Sequence, residues 1–326
     1  MLMLEQRACG TIAPQLLAFS PCRLVKELQV EQFNARHLGG VSVISAVDRI
    51  ARQIADERIT TLHSHGYKAN IVARLLRITG KAPGVRIVST CHGFVDSTLR
   101  LRFYNQLDRW TSMWSDVTTV PDPHMLASFP GFARTAAIAN GLPDAPDIMN
   151  VERDPNVFRV GTLGRISEEK GALEFLFAAA QCPKKSIQFV LAGAGTSREM
   201  GTQAPNVRYA GYQEDAHAYL HSLDVYVQAS RSEGLSLALL EAMRAGKAIV
   251  ATDVGATREA VRDGESALIV PPKAPQALLD AILRLEQDSD LAYRLGQSAR
   301  KRFAKEFRLH RQHDRFYHYY LRGDAK

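Results

Sequence analysis

The sequence predicts an α/β protein built from two doubly wound domains, each a parallel sheet covered by helices, and three observations lead there. Short, nearly continuous apolar runs rich in β-branched residues recur along the whole chain. A Gly- or Ser-containing turn and a stretch of helical period follow them, the pattern of parallel strands buried on both faces. One Pro/Asp-rich segment near the middle interrupts the recurrence, where a linker belongs.

In the first half the recurring segments are Ile12–Phe19, Val47–Ala55, Thr60–His63, Ile71–Leu76 and Val85–Thr90, then a helix around Leu101–Met113 and the run Val117–Val120. A doubly wound domain ordinarily opens with a strand, a Gly-rich turn and a helix. This chain opens at Met1–Ala8 as a helix fragment, meets its first strand at Ile12, and carries Gly39-Gly40 where no strand precedes it. The expectation is a front shortened by roughly 20–30 residues, judged by ordinary strand, loop and helix lengths. Asn140-Gly141-Leu142-Pro143 leads into Asp144, Pro146, Asp147, Asp154 and Pro155, which sets a boundary within Asn140–Pro155. Beyond it strands are expected at Val157–Arg165, Ile187–Ala192, Val207–Gly211, Asp224–Ser230, Ala248–Asp253 and Ala267–Val270. Helices are expected at Ala172–Gln181, Asp215–Ser222, Ser236–Ala245 and Pro275–Gln287. The expected domains are residues 1–145 and 146–305, with a basic and aromatic terminal segment, 306–326. Ligands of such sheets bind at the C-terminal strand ends, so two facing domains would form a cleft.

Composition narrows the classes. With 326 residues, 46% hydrophobic and 23% charged, the chain is an ordinary globular protein large enough for two cores, not a disordered, collagenous or coiled-coil one. No apolar run reaches the roughly 18 residues of a membrane span. Met1–Cys9 lacks the basic lead of a secretory signal. Cys9, Cys22, Cys91 and Cys182 are scattered without a CxxC pair, which excludes a zinc ribbon and fits reduced thiols in a cytoplasmic protein. The net charge of +7 is unevenly spread: +6 over residues 1–142, −5 over 143–296 and +6 over 297–326. A solubility role accounts for this, and so does a basic face turned to an anionic membrane or a phosphorylated substrate. Nucleic acid is not expected, because the basic residues are not interleaved with aromatics in a recognisable module.

Two segments carry chemistry. In Glu233-Gly-Leu-Ser-Leu-Ala-Leu-Leu-Glu241-Ala-Met-Arg-Ala-Gly246, Ser236 is a good N-cap and Gly246 stands where a helix stops. Glu233 precedes the helix beside the backbone N–H groups of Gly234, Leu235, Ser236 and Leu237, and a helix N-terminus binds phosphate. Glu241 lies among apolar neighbours, either on a narrow exposed stripe or aimed at a donor such as a sugar hydroxyl. In Gly164-Arg165-Ile-Ser-Glu-Glu-Lys170-Gly171, directly after a strand, Arg165 offers a planar fork and Lys170 a mobile point charge, a suitable pair for a diphosphate. The plain alternative is a solvated turn with Glu168 and Glu169 as ion-pair partners.

Together these segments resemble the EX7E pattern and the GRxxxxKG loop of the retaining glycosyltransferases of family 4, with the GT-B fold. Phe189–Gly195, Ala210-Gly211-Tyr212 and Ala251–Gly255 follow in the family's order, and the likeness spans roughly residues 60–305. The resemblance implies two Rossmann-like domains and a last helix that crosses back to the first domain. It also implies that Arg165 and Lys170 hold the donor diphosphate and stabilise the leaving group. Glu233, with the backbone from Gly234 to Leu237, would bind donor-sugar hydroxyls, and Glu241 the ribose. Thr90-Cys-His92-Gly93 resembles the family's active-site histidine turn, and Asn140-Gly141 its turn at the end of the first domain. The implied catalytic set is His92, Glu233, Arg165 and Lys170, with His65 and Asn140 on the acceptor side. The implied donor is a nucleoside-diphosphate sugar, used without cofactor or metal, and the acceptor a carbohydrate or lipid-linked hydroxyl in cell-surface polysaccharide or glycolipid assembly. The competing expectations are a shortened, non-catalytic nucleotide-sugar-binding remnant or partner subunit, and a sugar-nucleotide epimerase of the same fold.

Other features read more plainly. Asp288-Ser-Asp290 resembles a metal-binding DxD but lies between two helices, as a cap would. His63-Ser-His65 puts two imidazoles on one strand face with no third ligand in sight. Gly193-Ala-Gly195 lacks the rest of a dinucleotide fingerprint. Thr98–Trp110 mixes Arg100, Arg102 and Arg109 with Leu, Phe and Trp, either an amphipathic helix packed on its own sheet or a peripheral contact with the inner face of the cytoplasmic membrane.

Overall fold

The computed structural model describes residues 15–18, 35–39, 42–94, 98–144, 154, 156–195 and 204–321. Met1–Ala8, half of Ile12–Phe19, Gly40, Cys9, Cys22, Pro146, Asp147 and Pro155 lie outside the described residues. The chain divides into two compact units, Met1–Ala139 with Gln312–Lys326, and Asn140–Arg311.

In the first unit β1 (Leu16–Ala18) pairs in parallel with β2 (Ala35–His37), so a strand does precede Gly39, against the sequence expectation. A separate parallel sheet runs in the order β3 (Thr61–His65), β4 (Arg86–Thr90), β5 (Val117–Val120), β6 (Thr135–Ala137). Val47–Ala55 and Ile71–Leu76 are not strands; they form the middles of α1 (Val43–Asp56) and α2 (Tyr67–Ile78). In α1 the buried residues Ala46, Val47, Ile50 and Ile54 recur every three or four positions, a helical stripe that β-branched composition conceals. That stripe packs with Leu38, Val72, Leu76 and Val85.

The next helix, α3 (Leu99–Thr111), is capped by Thr98, whose side chain accepts from the Leu101 N–H at 3.2 Å. It does not pack its apolar face on its own sheet. Asn105 and Asp108 are the buried residues, while Leu99, Phe103 and Trp110 are 82%, 66% and 60% exposed. The cause is Arg74 on α2, wholly buried and 2.7 Å from Asp108 Oδ1. Its guanidinium also donates to Ser115 Oγ (2.8 Å), Thr111 Oγ1 (2.9 Å) and Thr118 Oγ1 (3.2 Å). A buried cation needs this company, and turning Asp108 inward turns the aromatic side outward. The last helix of the chain, α10 (Leu309–Leu321), supplies Phe316 to the first unit's core beside Val88, Val117 and Ile138.

The second unit contains β7 (Phe158–Leu163), α4 (Ala172–Gln181), β8 (Ile187–Ala192), β9 (Val207–Gly211), α5 (Ala216–His221), β10 (Val225–Gln228), α6 (Leu237–Arg244), β11 (Ala248–Thr252), α7 (Thr257–Ala260), β12 (Leu268–Val270), α8 (Pro275–Gln287) and α9 (Ser289–Glu306). Its strands form one parallel sheet in the order β12-β11-β10-β7-β8-β9. Strand order therefore reverses between β7 and β10, the doubly wound arrangement whose crevice lies at that switch point. The core joins Val160, Phe189, Val225 and Val250 of the sheet to Phe175, Leu176, Leu278 and Ile282 of the helices. Asp288 caps α9, its Oδ1 accepting from the Leu291 N–H at 2.8 Å, so the DxD look-alike has a helix-capping role.

Candidate active site

Two loops leave the C-terminal ends of β7 and β10, on either side of the switch point. The first carries Arg165 and Lys170, the second Glu233. Lys170 Nζ lies 2.6 Å from Glu233 Oε1, and Ser230 Oγ donates to the same oxygen at 2.8 Å. The Glu233 side chain is 9% exposed and that of Lys170 28%, so the pair is held partly out of water, where each charge needs the other. Arg165 is exposed on the same loop and pairs with Glu169 at 3.2 Å.

Two glycines let these loops approach. Gly171 sits at φ 71°, and a Cβ there would fall 1.8 Å from the Ala229 carbonyl oxygen. Gly255 sits at φ 50°, where a Cβ would fall 1.9 Å from the Glu233 carbonyl oxygen. Only glycine combines that backbone conformation with so close a passage.

Arg231 is the residue that sequence reasoning missed. Its Nε is 2.6 Å from Glu174 Oε1, its guanidinium also pairs with Glu168, and its N–H donates to the Glu169 carbonyl at 2.8 Å. Glu174 is buried in the first turn of α4, a favourable place for a carboxylate, and it ties Arg231 to the loop carrying Lys170. A lone arginine in a polar loop looks solvated; the available signal was an acidic residue three positions after Gly171.

Ser236 caps α6, its hydroxyl accepting from the Leu239 N–H at 3.4 Å. Beneath it Tyr226 is buried, and its phenol is pushed well above its ordinary range by burial and by the charges of Glu233 and Glu241, against a hydrogen bond with Ser236. Both carboxylates of the EX7E pattern thus act on one phenol. Glu241 is itself raised by burial, with Arg244 opposing the shift. Leu235 is buried and Leu237 is 51% exposed. Asn140, expected on the acceptor side, belongs to the second unit, where its amide donates to the Leu235 carbonyl at 3.3 Å.

In the first unit, parallel pairing of β3 with β4 brings His65 beside Thr90, two residues before His92. His65 Nδ1 and His92 Nε2 are 3.1 Å apart, with ring centroids 5.4 Å apart and ring planes 16° apart. His63 has both nitrogens engaged, with Tyr320 Oη at 2.6 Å and Thr90 Oγ1 at 2.7 Å. Burial lowers all three imidazoles, His63 well below its ordinary value and His65 to about 4 with help from nearby His92. Among the described residues no three His, Cys, Asp or Glu side chains are grouped to hold a metal ion. No helix among them is long and apolar enough to cross a membrane.

Residues 14–141 match the family described as "Glycosyl transferase 4-like domain", and residues 157–288 the family described as "Glycosyl transferases group 1". EpsD of Bacillus subtilis is 26% identical over 289 residues, 78% of this chain and 75% of that protein. Alpha-D-kanosaminyltransferase of Streptomyces kanamyceticus is 30% identical over 172 residues, 49% of this chain but only 41% of that enzyme. The phosphatidyl-myo-inositol mannosyltransferase of Mycobacterium leprae is 27% identical over 264 residues, 76% of this chain and 69% of that one. Among solved structures, Anabaena HepE in complex with UDP and glucose superposes with a TM-score of 0.82 at 16% identity, covering 97% of this chain and 93% of that one. Sucrose-phosphate synthase of Thermosynechococcus elongatus gives 0.73 at 20% identity, covering 85% and 77%. With its fold shared by solved GT-B structures and both of its halves matched by glycosyltransferase families, the chain belongs to the GT4-like glycosyltransferases.

Proposed function

We propose that this glycosyltransferase moves a sugar from a nucleoside-diphosphate sugar to an acceptor hydroxyl with retention of anomeric configuration. The observation that carries the reading is the Lys170–Glu233 pair at 2.6 Å across the switch point. It joins a cation suited to a diphosphate with a carboxylate suited to sugar hydroxyls at the head of α6. Glu233 accepts hydrogen bonds from the donor sugar, helped by the backbone from Gly234 to Leu237, and Glu241 from the ribose. Arg165 and Lys170 take up the charge that grows on the departing diphosphate. The acceptor oxygen attacks C1 on the face the diphosphate leaves: the C1–O bond to phosphate breaks and the C1–O bond to the acceptor forms. The hydroxyl proton passes to the departing phosphate oxygen. Two side-chain cations stabilise this leaving group, so transfer proceeds with EDTA present; loss of activity with EDTA defeats that part.

HepE has been solved with UDP and glucose, and a mycobacterial relative is named for mannosyl transfer to phosphatidyl-myo-inositol, which supports a nucleotide-sugar donor and a polysaccharide or glycolipid setting here. The outward aromatic face of α3, flanked by Arg100 and Arg102, supports a peripheral contact with anionic lipid at the inner face of the cytoplasmic membrane. The first experiment is a thermal-shift panel of UDP, GDP, ADP and their common sugars. A ligand at about 100 times its Kd adds roughly 2.7 kcal/mol of stability. A selective shift supports the donor site and identifies the base, whereas a stable protein with no shift overturns it. Product analysis then separates transfer, which needs an acceptor, from epimerisation, which does not.

A further inference from the structure

We propose that His65 is a positioning residue for His92: one imidazole–imidazole hydrogen bond fixes the orientation of His92, couples its tautomer to that of His65 and leaves its Nδ1 as the nitrogen that meets substrate. The proposal rests on the reading of His92 as part of the transfer site. His65 Nδ1 and His92 Nε2 lie 3.1 Å apart. With both rings neutral, one of these nitrogens must carry the proton and the other the lone pair, so the tautomer of either ring dictates that of the other. Burial lowers both histidines, which keeps the pair neutral near pH 7.

The support beneath the pair is tied by hydrogen bonds and ring contacts. His65 packs on His63 with ring centroids 4.1 Å apart. His63 is pinned between Tyr320 Oη at 2.6 Å and Thr90 Oγ1 at 2.7 Å. The Thr90 carbonyl, at the root of the turn bearing His92, accepts from the Gly66 N–H at 2.9 Å and from Asn70 Nδ2 at 3.2 Å. Strand end, helix start and histidine turn are thereby tied at one place, and His65 is the side chain that reaches from this frame to His92. His65 Nδ1 is committed to His92, a role that stands beside the acceptor-side contact expected of His65.

The test uses full-length protein labelled with 15N-histidine. Long-range proton–nitrogen spectra assign the His92 tautomer in the wild type, His65→Phe and His65→Asn, while a transfer assay separates kcat from donor KM. The wild type is expected to show complementary tautomers, with only one of His65 Nδ1 and His92 Nε2 protonated, and His65→Phe a changed His92 tautomer population. Loosening a positioned group should lower kcat by about ten- to a hundredfold with little change in donor KM. His65→Asn, whose amide can donate or accept, should restore the hydrogen bond to His92 and most of kcat. Tautomers in the wild type that protonate both or neither of His65 Nδ1 and His92 Nε2 overturn the proposal, as does an unchanged His92 spectrum in folded His65→Phe. If the tautomer responds to His65 but His92→Ala transfers at the wild-type rate, the hold on the ring stands and the assignment of His92 to the transfer site falls.

Discussion

Lys170 and Glu233 are 63 positions apart in sequence, and their charged ends meet at 2.6 Å where strand order reverses in the second sheet. Removing either should cut kcat/KM by about 10²- to 10³-fold, the scale of losing one preorganised electrostatic contact in a transition state. The double Ala variant should be little worse than either single one, because the two act as a unit. Steady-state transfer by Lys170→Ala, Glu233→Ala and the pair, with melting curves alongside, checks this. Near-normal rates would sink the site assignment.

Gly171→Ala should be a structural lesion more than a chemical one. It asks for a left-handed backbone with a side chain, and it drives a Cβ to 1.8 Å from the Ala229 carbonyl oxygen. A cost of about 3 kcal/mol or more is expected, because strain and a backbone clash add. Denaturant unfolding measures it, and a loss below the scatter of an ordinary surface substitution refutes the close approach.

Arg231→Met should weaken donor binding by about ten- to a hundredfold, since it strands the buried Glu174 carboxylate and frees the loop bearing Lys170. Lysine can satisfy Glu174 or Glu168 but not both with a planar fork, so Arg231→Lys should recover only part of the loss. Calorimetric titration with the nucleotide sugar identified by the thermal-shift panel reads the difference. Equal affinities would assign Arg231 to the surface rather than the site.

Acid should weaken the first unit through its histidines. His63, His65 and His92 all titrate below their ordinary value, so below about pH 6.5 the unfolded chain binds protons that the folded one excludes. Stability therefore falls as pH drops through that region, and for His65 the fall continues to about pH 4. Melting temperatures from pH 7 to 4 should decline less steeply in His65→Asn than in the wild type. Parallel slopes would count against a neutral His65.

The exposed face of α3 should bind anionic vesicles with an affinity that falls as salt rises. Phe103→Ser combined with Trp110→Ser removes two of its three most exposed apolar side chains without touching the buried Asp108. Co-sedimentation should then drop sharply; unchanged binding by this variant, or salt-insensitive binding by the wild type, refutes the docking face.

The donor-side loops were legible in the sequence because their requirements are local. Ser236 is recognisable as a cap from its place before a helical pattern, and Gly246 from the helix stop it makes. Lys170 and Glu233 could be named as a pair only through a family resemblance, since no local property says that two loops 63 residues apart will touch. The β-branched stretch at Val47–Ala55 was ambiguous for a related reason: composition favours a strand, and the three-or-four spacing of Val47, Ile50 and Ile54 decides for a helix once a partner face exists.

The sequence by itself determined the class of fold, the parallel α/β character of both units and the residue types of the donor loops, because chain periodicity and backbone stereochemistry act over a few residues. Only the tertiary structure decided which way α3 faces, what Arg231 holds and which nitrogen of His92 is engaged. Each of those depends on a distant group: Arg74 buried beneath α3, Glu174 beneath Arg231, His65 beside His92. A buried charge or a paired imidazole takes its orientation from whichever partner the fold brings within about 3 Å.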